Sequence, residues 1–369
     1  MRLLLLTIDF PPGRGGVQTL LGQLATGLSP TWDVVVVTPA AAGDRRWDAA
    51  RPYAVRRSRP GRWGLPALVG LHARALVELL RRRPDVLVCG HVLLGPFCRL
   101  ANVVLRVPYV AMAYAYEVRA PRLRVIAGLA LRGARRVVTI SEFSRRAVQA
   151  YGVAPASVVV VHPGAVEGAP ATAGSGEPMP GRVVLTVGRL VDGYKGHDMV
   201  IRAMPLVVAR VPGVRYVVVG DGPRRAYLER LAVAHGVADA VRFVGELPDD
   251  EVDAWYRRCE VFVLAGRESD ADGGAEGYGI ACVEASLRGK PVVGGRSGGI
   301  PDAVVDGETG ILVDPLDPGD IADAVIRLLA EPELAARLGR AGRRRVLDDL
   351  AWSRLTERVS LVLAQAAAG

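Results

Sequence analysis

The chain has 369 residues and a net charge of +9, a length that suggests two domains, each able to bury its own core. Half of the residues are hydrophobic, but they fall in short runs, and none reaches the ~18–20 residues of a membrane-crossing helix. Five histidines and four scattered cysteines (Cys89, Cys98, Cys259, Cys282) show no C-x-x-C or H-E-x-x-H spacing, which argues against a metal site and for reduced thiols in a cytoplasmic protein.

In chain order, apolar β-branched runs at 2–8, 33–38, 85–89, 108–113, 136–140 and 157–161 predict strands. Helical-period segments such as 17–28, 64–82 and 142–151 lie between them. The N-terminal Leu3–Leu6 run is cut short by Asp9, Pro11 and Pro12, so it reads as a buried strand and not a signal peptide. The Gly-, Ala- and Pro-rich stretch 166–181 predicts a linker. The pattern then restarts, with strands at 182–188, 214–220, 241–244, 260–265, 290–294 and 310–313. Helices are expected at 197–210, 223–235, 249–258, 278–288, 319–329 and 333–348. Strands that are continuously apolar imply parallel sheets covered on both faces. The expectation is two doubly wound α/β domains, 1–165 and 182–348, with ligands at the strand ends in the crevice between them. A terminal helix, 349–369, is expected to cross back onto the first domain.

Charge divides along the same line. Residues 1–165 carry 23 Arg and 8 acidic residues, a balance of +15, whereas 166–369 carry 24 basic and 30 acidic residues, a balance of −6. The basic half is expected to face an anionic partner. Arg119, Arg122, Arg124, Arg132, Arg135 and Arg136 surround the apolar segment VIAGLAL, as in a helix lying on an anionic membrane or an ordinary Arg-rich surface helix. Aromatic residues are only 5% of the chain and are not interleaved with the basic stretches, which argues against nucleic acid.

The chemistry gathers in four places. The loop from Asp9 to Val17 contains Gly15 and Gly16 before a helix; it suits close approach of an anion, or simply a tight turn. Arg189 ends the first strand of the second half and Lys195, one of two lysines, precedes the next helix; a diphosphate needs such neutralisation. Segment 242–247, including Val244 and Leu247, offers backbone to a nucleobase edge. The run Glu276-Gly277-Tyr278-Gly279-Ile280 opens a helix, and Glu284 lies a little over two turns on. Two carboxylates and a helix N-terminus can serve sugar hydroxyls, a ribose diol and a phosphate.

Together these segments resemble the family-4 glycosyltransferases, which have the GT-B fold of two Rossmann-like domains facing a central cleft. The carriers are the E-x7-E pair in EGYGIACVEASLRGKPVV, the Arg and Lys of GRLVDGYKG, the N-terminal GGV and the tail SGGIPDAVVDGETGILV. TIDFPPGRGGVQ and GRESDADGGAEGYG look most like the phosphatidylinositol mannosyltransferase branch, which uses GDP-mannose. The resemblance implies a retaining, metal-independent enzyme with no cofactor, moving a hexose from a GDP- or UDP-linked donor to the hydroxyl of a polyol lipid or small molecule. Arg189 and Lys195 would bind the diphosphate, Glu276 the sugar, Glu284 the ribose, and the amides of Gly279 and Ile280 the distal phosphate. Gly15 and Gly16 would admit the donor, with Asp9, Tyr116 and Glu117 on the acceptor side. The family commonly has H-G-x-E after the fourth strand; here Tyr114-Ala115-Tyr116-Glu117 places a phenol where histidine is expected near the reacting sugar. The resemblance thus implies a cytoplasmic enzyme, peripheral on the inner membrane face if its acceptor is a lipid. The alternatives are a secondary-metabolite (antibiotic) glycosyltransferase with a soluble acceptor, or a nucleotide-sugar epimerase or hydrolase on the same scaffold.

Overall fold

Apolar strands alternating with helices demand sheets covered on both faces, and the computed structural model contains two. It describes residues 1–58, 64–165, 181–269 and 273–368. The linker expected at 166–181 therefore lies, apart from Gly181, outside the described residues. The chain divides into one unit of Met1–Pro163 with Trp352–Gly369 and another of Gly164–Ala351.

The strands of the first unit are β1 (Arg2–Leu6), β2 (Asp33–Pro39), β3 (Ala54–Ser58), β4 (Val86–Cys89), β5 (Tyr109–Ala113), β6 (Arg136–Thr139) and β7 (Val158–Val160). They pair in parallel in the order β3-β2-β1-β4-β5-β6-β7. Leu3 to Leu6 and Val34 to Val37 are all buried, so both sheet faces are dry. Strand β3 is not foreseen by the apolar pattern, because its sequence AVRRS carries two arginines. It is a sheet edge, and Arg57 is satisfied by Asp48 at 2.8 Å and by the carbonyls of Pro11 and Pro39 at 2.6 and 3.0 Å. An edge strand can hold such residues because one side has no neighbour to exclude them.

The terminal helix Trp352–Ala368 belongs to this first unit and packs against the helix Gly16–Leu28. Its buried stripe is Leu355, Val359, Val362, Leu363 and Ala366, the i, i+4, i+7 spacing of one helix face. Burying each larger member contributes roughly 1.5–3 kcal/mol. The Trp32 indole fixes the register by donating to Ser360 Oγ at 2.9 Å.

In the helix Arg124–Gly133, which holds the VIAGLAL segment, Ala127, Gly128, Ala130 and Leu131 are buried. A Cβ on Gly95 would lie 2.1 Å from that of Ala130, so this stripe closes tightly on the neighbouring helix Gly95–Leu105. Much of the apolar segment is therefore core, while Val125 is 76% exposed beside the arginines.

The second unit holds β8 (Val183–Val187), β9 (Arg215–Val219), β10 (Val241–Gly245), β11 (Val261–Leu264), β12 (Val292–Gly295) and β13 (Gly310–Val313). All pair in parallel, in the order β10-β9-β8-β11-β12-β13. In each sheet, strand order reverses direction once: between β1 and β4 in the first, between β8 and β11 in the second. Helices leave opposite faces on the two sides of such a point, which opens a crevice at the carboxyl ends of the strands.

Candidate active site

The second unit's switch point gathers the expected donor residues. The chain leaves β8 through Gly188 and Arg189, makes a turn over Gly193–Lys195, and enters the helix His197–Arg210. Gly196 carries the corner at φ 76°, and a Cβ there would stand 1.8 Å from the Ala265 carbonyl. Only glycine lets this loop press against the end of β11. The consequence is that Lys195, after β8, meets Glu276, after β11: Nζ donates to Oε2 at 2.8 Å.

Both side chains are about one-sixth exposed, at 17% and 16%, so the pair is open to a ligand from one side. Burial opposes charge on the Lys195 ammonium, but its contacts with Glu276 more than compensate and its pKa is raised. It is a cation throughout the neutral range. Glu276 Oε1 accepts the Gly279 N–H at 3.3 Å, which joins the carboxylate to the start of the helix Ile280–Leu287. The Gly298-Gly299 turn holds Glu276 from behind. Gly299 N–H donates to the Glu276 carbonyl at 2.8 Å, and a Cβ on Gly299 would come 2.0 Å from the Gly277 carbonyl. Arg189 is exposed at the end of β8 and has no ion-pair partner among the described residues.

Val244 and Leu247 are half-buried at the end of β10. That strand is two places from β8, about 10 Å away at the usual strand spacing. Glu284, half-buried on the helix Ile280–Leu287, accepts the Tyr256 hydroxyl at 2.8 Å. The side chain of Tyr278 is buried at 1% exposure. Among the described residues no three His, Cys, Asp or Glu side chains group as a metal site.

In the first unit, Gly15 precedes the helix Gly16–Leu28 with φ 149°, a conformation that favours glycine. Asp9, on the same loop after β1, accepts Gln18 Nε2 at 2.9 Å. At the end of β5 the Tyr114-to-Glu117 segment takes a form that the motif alone does not show. Glu117 is buried, and its oxygens accept the amides of Tyr114 and Ala115 at 2.6 and 3.4 Å. Burial raises its pKa, and those amide bonds work against the rise. Tyr114 is 5% exposed and its hydroxyl donates to the Gly90 carbonyl at 3.0 Å, linking the ends of β5 and β4. Burial, then the Glu117 charge, keep the phenol un-ionised. Tyr114 and Glu117 thus brace this loop. Tyr116 is half-buried and its hydroxyl accepts Arg122 Nη2 at 2.5 Å.

Residues 15–164 match the family described as Glycosyl transferase 4-like domain, and 171–345 match Glycosyl transferases group 1. A GDP-mannose-dependent alpha-(1-6)-phosphatidylinositol monomannoside mannosyltransferase of Mycolicibacterium smegmatis is 37% identical over 97% of this chain and 98% of its own. The chain belongs to the family-4 glycosyltransferases. Its fold is GT-B. The sucrose-phosphate synthase of Thermosynechococcus elongatus superposes with a TM-score of 0.82 at 21% identity, covering 100% of this chain and 99% of its own. Anabaena HepE in complex with UDP and glucose gives 0.77 at 19% identity, with 99% and 100% covered.

The glycosyltransferase also has site supports that the sequence did not announce. Arg267, after β11, donates its backbone N–H to the Tyr194 carbonyl at 2.7 Å. Its guanidinium grips Asp198 through two bonds of 3.0 and 2.8 Å. That bidentate pair ties the Lys195 loop to the segment leading to Glu276. Sixty-nine residues separate the partners, and no short-range pattern signals such a contact.

His197, 3% exposed beside Lys195, gives the glycosyltransferase an acid-labile point. Burial first, then the Lys195 charge, push its pKa down from 6.5 to about 3. Between those values the unfolded chain binds the proton and the folded unit does not, so stability falls as pH falls. The slope is at most ~1.4 kcal/mol per pH unit for one group. His197→Gln is expected to flatten the decline in melting temperature between pH 6.5 and 4 relative to the parent. An identical slope in parent and variant would refute this assignment.

Proposed function

We propose that the chain is a metal-independent, retaining hexosyltransferase that moves mannose from GDP-mannose to a hydroxyl of a polyol lipid. The observation that carries the reading is the Lys195–Glu276 ion pair at the switch point, with Arg189 beside it and without an ion-pair partner among the described residues. A diphosphate arriving there is drawn by two cations and by the first amides of the helix Ile280–Leu287. Engagement of the diphosphate by Lys195 and Arg189 eases the departure of the nucleotide. Glu276, released in part from Lys195, accepts hydrogen bonds from the sugar hydroxyls. Hydrogen bonded to those hydroxyls and to the Gly279 amide, the carboxylate is a poor nucleophile, which favours attack of the acceptor on the face the leaving group vacates. The leaving phosphate then takes the acceptor proton, and anomeric configuration is retained.

Mannose and the lipid acceptor are supported by the name of the M. smegmatis relative and its full-length match. The acceptor side falls to the first unit, with Asp9 and Tyr116 nearest in chemistry to a polyol. Tyr114 and Glu117 hold the loop between them in shape. The arginine excess of residues 1–165 suits an anionic lipid surface, reached from the cytoplasmic side. No helix among the described residues is long and apolar enough to cross a membrane.

The test is a thermal-shift panel of GDP-, UDP-, ADP- and TDP-sugars in EDTA, followed by product analysis with lipid vesicles and soluble polyols. A ligand at 100 times its Kd stabilises by about 2.7 kcal/mol, and GDP-mannose is expected to give the largest shift. The expected product is an α-mannoside on the vesicle lipid. A larger shift with a UDP-sugar, loss of turnover in EDTA, a β-linked product or transfer only to soluble acceptors would each overturn the corresponding part. Donor turnover without any acceptor would favour the hydrolase alternative.

A further inference from the structure

The second unit contains a chain of side chains that begins at Asp253 and ends on Glu284. Asp253, in the helix Asp249–Arg258, has a side chain with no solvent exposure. A buried carboxylate of this kind must be paired. It accepts Arg288 Nε on Oδ1 and Arg257 Nε on Oδ2, both at 2.5 Å. Arg288 is itself only 8% exposed, stands 5.0 Å from the centroid of the Tyr256 ring, and donates Nη1 to the Glu284 carbonyl at 2.8 Å. The Tyr256 ring is held on its other contact by Phe262, with centroids 5.6 Å apart. Its hydroxyl, fixed by all of this, donates to Glu284 Oε2 at 2.8 Å.

We propose that Tyr256 is a positioning residue for donor-nucleotide recognition: it fixes the Glu284 carboxylate so that the carboxylate reads the ribose hydroxyls. This rests on the reading of Glu284 as the ribose-binding group. A free glutamate on a helix samples several rotamers, and holding two cis hydroxyls demands one. With Oε2 held by the phenol, the carboxylate plane is set while Oε1 stays available to a diol. The phenol also favours the ionised form of the carboxylate. Burial raises the Glu284 pKa, and the Tyr256 hydrogen bond and the Arg288 charge oppose the rise. Tyr256 is suited to this because burial, then Glu284 itself, push its own pKa well above the ordinary phenol value, so it remains a donor. Arg288 and Asp253 act one step further out, by locking the ring.

The experiment compares binding of GDP and 2′-deoxy-GDP, with UDP and 2′-deoxy-UDP in parallel, to the full chain and three variants. The parent is expected to prefer the ribonucleotide by about tenfold or more, the worth of one charge-assisted hydrogen bond. Glu284→Ala should bring that ratio close to one. Tyr256→Phe should lose most of the ratio, weaken the deoxynucleotide much less than the ribonucleotide, and raise the donor KM with little change in kcat. A merely structural role would weaken both nucleotides alike. Arg288→Lys, which retains a cation for Asp253 but not the stacked guanidinium, should give an intermediate ratio and stands in if Tyr256→Phe melts early. If Glu284→Ala keeps the parent's ratio, the ribose reading itself fails and takes this proposal with it. If Glu284→Ala loses the ratio while Tyr256→Phe and Arg288→Lys keep it, the positioning role alone is refuted.

Discussion

Replacing Glu276 with glutamine is expected to lower kcat for sugar transfer by about 10²–10³-fold, the usual cost of removing one preorganised polar group aimed at the reacting centre. The amide keeps the size of the carboxylate and can still accept the Gly279 N–H, so the helix start and the Gly298-Gly299 turn should survive. What is lost is the negative charge opposite Lys195 at 2.8 Å. Nucleotide affinity should therefore hold or rise slightly, because Lys195 is no longer neutralised before the diphosphate arrives. A split between a collapsed kcat and an intact nucleotide Kd is the signature. Unchanged turnover in Glu276→Gln would remove Glu276 from the reaction.

The second large effect is expected at the cations. Arg189→Ala should weaken nucleoside-diphosphate binding by about 10–100-fold, since a hydrogen bond to a charged group contributes roughly 1.5–3 kcal/mol. Arg189 is exposed and forms no ion pair among the described residues, so the melting temperature of the free protein should stay within a degree or so. Lys195→Ala should cost at least as much in affinity and also lower stability, because it leaves the largely buried Glu276 carboxylate unpaired and facing the diphosphate. Calorimetric titration at two ionic strengths checks both. The parent's affinity should fall with salt more steeply than that of either variant. A Lys195→Ala protein that binds like the parent would refute the diphosphate role.

These effects concern residues legible in the linear chain. Arg189, Lys195, Glu276 and Glu284 stand out because a strand end, a glycine corner and a helix start leave short-range marks. Their partners do not. Asp253 and Arg288 are 35 residues apart and Asp198 and Arg267 are 69 apart, and each reads locally as an ordinary charged residue on a helix or loop. Tyr114 shows the opposite case. Its place in the motif pointed toward the sugar, but its hydroxyl is bonded to Gly90 on the neighbouring strand, a relation that only sheet pairing creates. Strand β3 was hidden for a similar reason: its arginines are tolerated by Asp48, Glu78 and two carbonyls brought from elsewhere.

The amino-acid sequence by itself determined the two doubly wound sheets, the basic and acidic halves, and which charged residues stand at the strand ends and helix start of the second unit. Hydrophobic period, glycine placement and charge are local or additive properties, and they can be read residue by residue. Tertiary structure decided which charges are joined, which are buried and which remain for a ligand. Lys195 and Glu276 are 81 residues apart, and they meet only because β8 and β11 are neighbours where the strand order reverses. Glu284 gains its tyrosine only because a second helix carries Tyr256 to within 2.8 Å. Pairings of this kind depend on distance through space, and a linear pattern carries no measure of it.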